Sequence, residues 1–221
     1  MAPWQKMKKW NYKEYRVICK IKMEQSMETS TKSSYKKAFR LIIERFEGIY
    51  SNDPDDPGGE TYMGISRKMN AEFEGWKIID SFKGKSNYTK MLQGDLQLEE
   101  MVEGFYKENY WDKFKGDVLG EETGEEMLDQ SVNMGVGRAV EHLQRSLNIL
   151  NDGERLYRDI TVDGKMGEQT YQAYKACCHE RGEAMLVNYL NAYQGKYYIE
   201  LMEKRTIFEK FTGLFKRVTI N

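Results

Sequence analysis

The sequence predicts a mainly α-helical fold interrupted by one turn-rich loop or small β-hairpin. Leu, Met, Glu and Lys are abundant and only 3 of 221 residues are Pro, a composition that loses little side-chain freedom in helices. Several long stretches repeat apolar residues at i, i+3, i+4 and i+7. Residues 51–64, by contrast, carry no periodicity at all.

In chain order, Ser33 or Ser34 can cap a helix running through about Glu47, with Phe39, Ile42, Ile43 and Phe46 as its apolar stripe. The stretch Ser51-Asn-Asp-Pro-Asp-Asp-Pro-Gly-Gly-Glu-Thr-Tyr-Met-Gly64 then demands tight turns. Ser66 is placed at the start of a brief helix holding Met69 and Phe73. Asp95 is a natural N-cap for the next helix, where Leu98, Met101, Val102, Phe105 and Tyr106 fall on one face.

The polar, glycine-punctuated run Gly116–Gly124 is the best domain boundary. Helices at roughly 125–134 and 136–151 follow, the second with Val136, Ala139, Val140, Leu143, Leu147 and Leu150 on one side. Ile160–Gly164 reads as a short extended piece entering a turn. Helices from about Glu168 to His179 and Glu183 to Lys204 close the body. The last carries a Met/Leu/Tyr stripe expected to be core: Met185, Leu186, Tyr189, Leu190, Tyr193, Tyr197 and Leu201. Domains are expected over residues 34–122 and 123–218, behind a basic, flexible arm at 1–33.

Composition narrows the function classes. With 40% hydrophobic and 31% charged residues, the chain can bury a core rather than remain disordered. No apolar run reaches the roughly 20 residues of a membrane-spanning helix. The basic arm attracts nucleic acid, anionic lipid or anionic wall polymers by one Coulomb mechanism, or is a solvated leader. No nucleic-acid motif follows it, so nucleic acid is not an expected partner. Its apolar stretch is broken by Lys20 and Lys22 and does not form a signal-peptide core; another route of export is expected. Cys19, Cys177 and Cys178 are read as buried free thiols, since adjacent cysteines do not meet ordinary disulfide geometry. His142 and His179 are too few for a zinc site or a histidine triad.

The chemistry concentrates where the first helix meets the acidic loop. Glu47 follows Phe46 and precedes Ile49 by two, at the edge of an apolar face. Desolvation there favours the protonated carboxyl, as a general acid for glycosidic cleavage requires. Asp53, Asp55, Asp56 and Glu60 supply second carboxylates, and Thr61 a hydroxyl to orient water. The same loop could equally hold calcium, although it lacks the EF-hand ligand order, or be a plain solvated turn.

Beyond these residue-level readings, Glu47-Gly-Ile-Tyr-Ser-Asn-Asp-Pro-Asp-Asp-Pro-Gly-Gly-Glu-Thr-Tyr-Met-Gly-Ile-Ser66 resembles the signature of the phage-type lysozyme (N-acetylmuramidase) family. Some members of that family carry the label secretion activator. The likeness continues through Phe105-Tyr106, Tyr110-Trp111, Asp129, Asn133, Gly135 and Leu143-Gln144. Val162-Asp163-Gly164-Lys165-Met166-Gly167-Glu168-Gln169-Thr170 resembles the turn of the family's peptidoglycan-associated half, and Phe211–Val218 its C-terminal end.

The resemblance implies a lysozyme-like helical fold with the hairpin or loop beside the catalytic helix. It implies hydrolysis of the β-1,4 bond between N-acetylmuramic acid and N-acetylglucosamine in peptidoglycan glycan strands, without metal or organic cofactor. Glu47 would be the acid, Asp56, nine positions later, would assist water or the sugar cation, and Thr61 would position the water. Tyr50, Tyr62 and Asn133 are candidate sugar contacts, the two tyrosines equally candidates for ordinary packing. A holin is one route to the wall. Two residues depart from the family pattern: Ile49 replaces a glycine, and Tyr62 stands where Asn is common. A lytic transglycosylase using the same Glu, or a wall-binding or secretion accessory protein without catalysis, are the competing readings.

Overall fold

The computed structural model describes residues 34–42, 49–52, 58–204 and 217–218. The basic arm, Ile43, Phe46, Glu47, the loop acids Asp53, Asp55 and Asp56, Cys19 and most of the closing Phe211–Val218 motif lie outside the described residues. The fold is mainly helical with a small antiparallel sheet, as the pattern predicts. The described part of helix α1 covers 34–42. Strands β1 (Tyr50–Ser51), β2 (Thr61–Tyr62) and β3 (Ile65–Ser66) follow, then helices α2 (Gly75–Phe82), α3 (Tyr88–Gln93) and α4 (Leu96–Tyr106). The remaining helices are α5 (Glu121–Met134), α6 (Val136–Leu150), α7 (Glu168–Arg181) and α8 (Glu183–Lys204).

Two hydrophobic cores organise these elements. One gathers Tyr35, Ala38 and Ile42 of α1 with Trp111, Phe114 and the inner faces of α5 to α8. The other joins Tyr62 and Ile65 of the sheet to Trp76, Ile79, Leu92, Leu98, Val102 and Tyr106. Phe39, Tyr110 and Val132 pack against both. The described part of α1 therefore packs with the C-terminal helices, while the strands that follow Gly58 belong to the sheet-side core.

Helix α4 begins as expected, with Asp95 Oδ1 accepting the Leu98 N–H at 2.8 Å. It runs into a π-helical turn, Lys107–Trp111. The wider turn lets Tyr106, Tyr110 and Trp111 all face inward. Trp111 is 1% exposed and donates its indole N–H to Asp117 Oδ1 at 2.7 Å.

Gly116–Gly124 is not the loose connection its composition predicts. It contains a 3₁₀ turn (Gly116–Val118) and the first turn of α5. The glycines are there for size. A Cβ on Gly116 would lie 2.3 Å from the Trp111 ring, and one on Gly124 2.8 Å from it. Gly120 is crowded by the Glu183 carboxylate, which reaches from the start of α8 to accept the Thr123 N–H at 2.9 Å. An anion at that point also complements the α5 helix dipole.

Two further expectations are corrected. Ser66 starts no helix; it belongs to β3, and Met69 is 80% exposed. On α8 the buried face is Leu186, Leu190, Asn191, Gln194, Gly195 and Tyr198, while Met185 is exposed and Tyr193 and Tyr197 are half-buried. Asn191 and Gln194, polar residues outside the expected stripe, turn inward because they have partners there. Gln194 donates to the buried Asp129 carboxylate at 2.8 Å, which also pairs with Arg217 at 2.6 Å. Of the cysteines, Cys177 is buried and Cys178 half-buried, both free thiols as expected.

Packing around Trp111 separates two otherwise similar substitutions. Gly124→Ala should lower unfolding free energy by about 1–3 kcal/mol through overpacking. Gly104→Ala, on an open face of α4 with nothing within 4 Å, should be neutral or stabilise by up to about 1 kcal/mol. Urea denaturation of both variants checks the contrast.

Candidate active site

The described parts of the site are the sheet and the returning limb of the acidic loop. Tyr50 pairs with Tyr62 and Ser51 with Thr61 across β1 and β2; Thr61 pairs with Ser66 and Tyr62 with Ile65 across β2 and β3. Met63 and Gly64 join β2 to β3 with φ of 44° and 79°, the left-handed pair that a two-residue type I′ hairpin needs. Side chains alternate across a strand. Tyr50, Tyr62 and Ile65 therefore share one face, and Ser51, Thr61 and Ser66 the other.

On the second face, hydroxyls pin the loop. Thr61 donates to the Gly59 carbonyl at 3.0 Å and Ser66 to the Gly58 carbonyl at 2.6 Å. With its proton engaged, Thr61 Oγ1 has only acceptor capacity left, which suits it to receive a hydrogen bond from water.

On the first face, Glu60 anchors the loop. It accepts from the Tyr50 hydroxyl at 3.0 Å, pairs with Arg67 at 2.6 Å and with Lys83 at 2.9 Å. Arg67 also grips Asp80 through both guanidinium nitrogens and lies over the Trp76 ring at 4.8 Å. Burial by itself would raise the Glu60 pKa, but the Arg67, Lys83 and Tyr50 hydrogen bonds outweigh it and hold the carboxyl below its ordinary range. Arg67, followed by Lys83, holds Asp80 well below its usual range too. Glu60 is thus an anchor that stays ionised, not a proton donor. No short-range sequence signal marks Arg67, Asp80 and Lys83 as its partners.

Of the predicted site residues, the sheet brings Tyr50, Thr61 and Tyr62 together. Tyr62 is not a sugar contact: it is fully buried and donates its hydroxyl to the Leu92 carbonyl at 3.0 Å. Burial, then the nearby Glu99 and Asp95, pushes its pKa up to about 12. Tyr50 is half-buried, edge-on to Tyr88 at 5.0 Å. Ile49 packs against the sheet-side core, and its carbonyl accepts the Met63 N–H at 2.7 Å. Both departures from the family pattern therefore add apolar packing under the sheet. Asn133 stands apart on the last turn of α5 and donates back to the Asp129 carbonyl at 2.7 Å.

The Asp163–Thr170 motif is organised by Gln144 of α6. Gln144 Oε1 accepts the N–H groups of Asp163 and Gly164 at 3.0 and 2.9 Å. Its amide nitrogen lies 2.9 Å from Asp163 Oδ1 and 3.1 Å from Thr170 Oγ1. Gly164 has φ of 69°, and a Cβ there would meet the Gly137 carbonyl at 3.0 Å. The motif is thus a packed turn that locks α7 to α6.

Comparison with known proteins agrees with this architecture. Residues 40–135 match the family model described as glycosyl hydrolase 108. Over that span, a little under half of the chain, the sequence is similar to the glycosyl hydrolase 108 family. Residues 138–218 match the model described as a predicted peptidoglycan domain. Together the two matches support a peptidoglycan hydrolase. The solved structure of Brucella abortus SagA shares the fold, with a TM-score of 0.55 at 24% identity over 85% of this chain and 92% of that one. No curated protein matches the chain.

The ion network sets an acid limit on stability. Glu60 and Asp80 have folded pKa values below their unfolded ones, so their contribution is complete above roughly pH 4–5 and is lost as pH falls through the lowered values. The thermal midpoint should drop steadily below about pH 4. Glu60→Gln should melt lower than wild type at pH 7 and show a shallower fall in acid.

Proposed function

We propose that this chain is a glycosyl hydrolase 108-type enzyme, a lysozyme-type N-acetylmuramidase with Glu47 as its general acid. The observation that carries the reading is the family match over residues 40–135, a span that contains Glu47, Asp56 and Thr61 at lysozyme-like spacing. Glu47 protonates the glycosidic oxygen as the bond to the N-acetylmuramic acid C1 breaks. Asp56 assists the attacking water or the developing sugar cation, and Thr61 holds that water.

Physical chemistry supports this division of labour. A carboxyl donates a proton near neutral pH only where its anion is disfavoured, in apolar surroundings without a cation against it. Glu60 sits against two cations and cannot fill that role. Glu47, between Phe46 and Ile49 in sequence, has apolar neighbours instead. Thr61 carries an acceptor on the face of the sheet opposite the Glu60 anchor. Tyr50 and Asn133 are the remaining proposed sugar contacts. In this reading cleavage belongs to residues 34–122 and wall association to 123–218, and the protein acts at the cell wall.

Muropeptide release from purified peptidoglycan tests the assignment. Glu47→Gln should lose activity by about 10²–10⁴-fold while still sedimenting with the wall. Thr61→Val should reduce kcat with little change in KM. Products with a reducing N-acetylmuramic acid end are expected. A 1,6-anhydro end would instead mean transglycosylation, and equal release by Glu47→Gln would remove Glu47 from the mechanism.

A further inference from the structure

A groove of about 220 Å³ runs between α6 and α8 on the peptidoglycan-associated half, lined by Arg138, His142, Arg145, Tyr193, Lys196 and Tyr197. The sequence pattern assigned its tyrosines to the core, yet both are half-buried and border this opening. Tyr193 stacks on the His142 ring at 5.2 Å, and the Arg138 guanidinium lies 4.6 Å over Tyr197. Glu141 and Glu200 also line the groove. Glu200 is engaged by Lys196 at 3.7 Å, whereas neither Arg138 nor Arg145 has a carboxylate partner among the described residues.

The tautomer of His142 follows from its partner. Gln130 Nε2 lies 2.7 Å from Glu126 Oε1 and 2.9 Å from the Leu190 carbonyl, both acceptors. Gln130 Oε1 must then be the atom 2.8 Å from His142 Nδ1, and Nδ1 carries the proton that it accepts. Nε2 is left as a bare acceptor on a ring that lines the groove. Burial first, and then Arg138, Arg145 and Lys196, push the His142 pKa down to about 4. The ring is therefore neutral at physiological pH, and the surrounding cations are not neutralised at its position.

We propose that this groove binds the free C-terminal carboxylate of a peptidoglycan stem peptide. Two guanidinium groups offer the planar fork that matches a carboxylate. The acceptor at His142 Nε2 suits the amide N–H that a C-terminal amino-acid residue carries one carbon from its carboxylate. Tyr193 and Tyr197 give the side chain and peptide plane an aromatic border. A neutral sugar brings Arg138 and Arg145 no counter-charge. This inference rests on the peptidoglycan reading but not on Glu47 or on catalysis.

Calorimetric titration of full-length Glu47→Gln protein separates the two. The probes are a soluble disaccharide–tetrapeptide, the same compound with its C-terminus amidated, and uncharged chitotetraose. The free acid should bind, the amide should bind at least about tenfold more weakly, and chitotetraose should bind no better than the amide. Arg138→Gln with Arg145→Gln should weaken the free acid by a similar factor with an unchanged melting curve, since both side chains are exposed. Equal binding of acid and amide, or no binding of either, overturns the proposal. The acid–amide contrast needs no groove variant and so does not depend on that variant folding.

Discussion

The burial of Trp111 is the constraint on which the arrangement depends. Its indole is met by Tyr35 of α1 at a ring distance of 5.3 Å and by Phe114 at 5.5 Å. Its other neighbours include Gly116 and Gly124, which leave room only because they lack side chains. One side chain thus fixes α1, the end of α4 and the start of α5 against one another. The described part of α1 is therefore referred to the helical core, through Tyr35, Ala38 and Ile42. A buried aromatic of this size contributes several kcal/mol on truncation, far more than the surface ion pairs around it.

The acidic loop is tied in the opposite direction, to the sheet-side core. Thr61 and Ser66 hold its returning limb through carbonyls, and Glu60 holds it through charge. Much of what makes the loop recognisable in sequence is therefore scaffolding. The glycines, the Glu, the Thr and the Ser are needed to form the loop before any of them acts on a substrate. The same holds in the other half, where Asp163, Gly164 and Thr170 converge on Gln144.

The helices were legible because amphipathic periodicity is local and survives in one sequence. Residues that answer to distant partners were not. Ser66 looked like a helix start but pairs with Thr61 across a hairpin. Gly116–Gly124 looked like a linker because glycines chosen to admit Trp111 cannot be told, in sequence, from glycines chosen for flexibility. The polar Gln194 faces inward because Asp129, far away in sequence and paired with Arg217, accepts its hydrogen bond there. In the site, Tyr50, Thr61 and Tyr62 lie on two paired strands. Tyr62 proved to be packing, a distinction that depends on the Leu92 carbonyl thirty residues away.

Seen through its electrostatics, the loop illustrates how carboxylates close in sequence take different roles. Glu60 has a partly buried side chain, the very circumstance that raises a carboxyl pKa, yet Arg67 and Lys83 reverse the shift and keep it ionised. Burial alone therefore does not make an acid; the absence of a compensating cation does. Across the molecule His142 obeys the mirror rule. It is buried among cations and so is held neutral, where a carboxylate beside it would have made it a charge. An imidazole kept neutral next to guanidinium groups is a poor device for proton transfer. It is a good one for recognition, since it offers an acceptor within a positively charged groove. The two halves thus differ in kind: around Glu60 the sheet side pairs Arg67 and Lys83 with carboxylates, and on the α6–α8 side Arg138 and Arg145 have no carboxylate partner among the described residues.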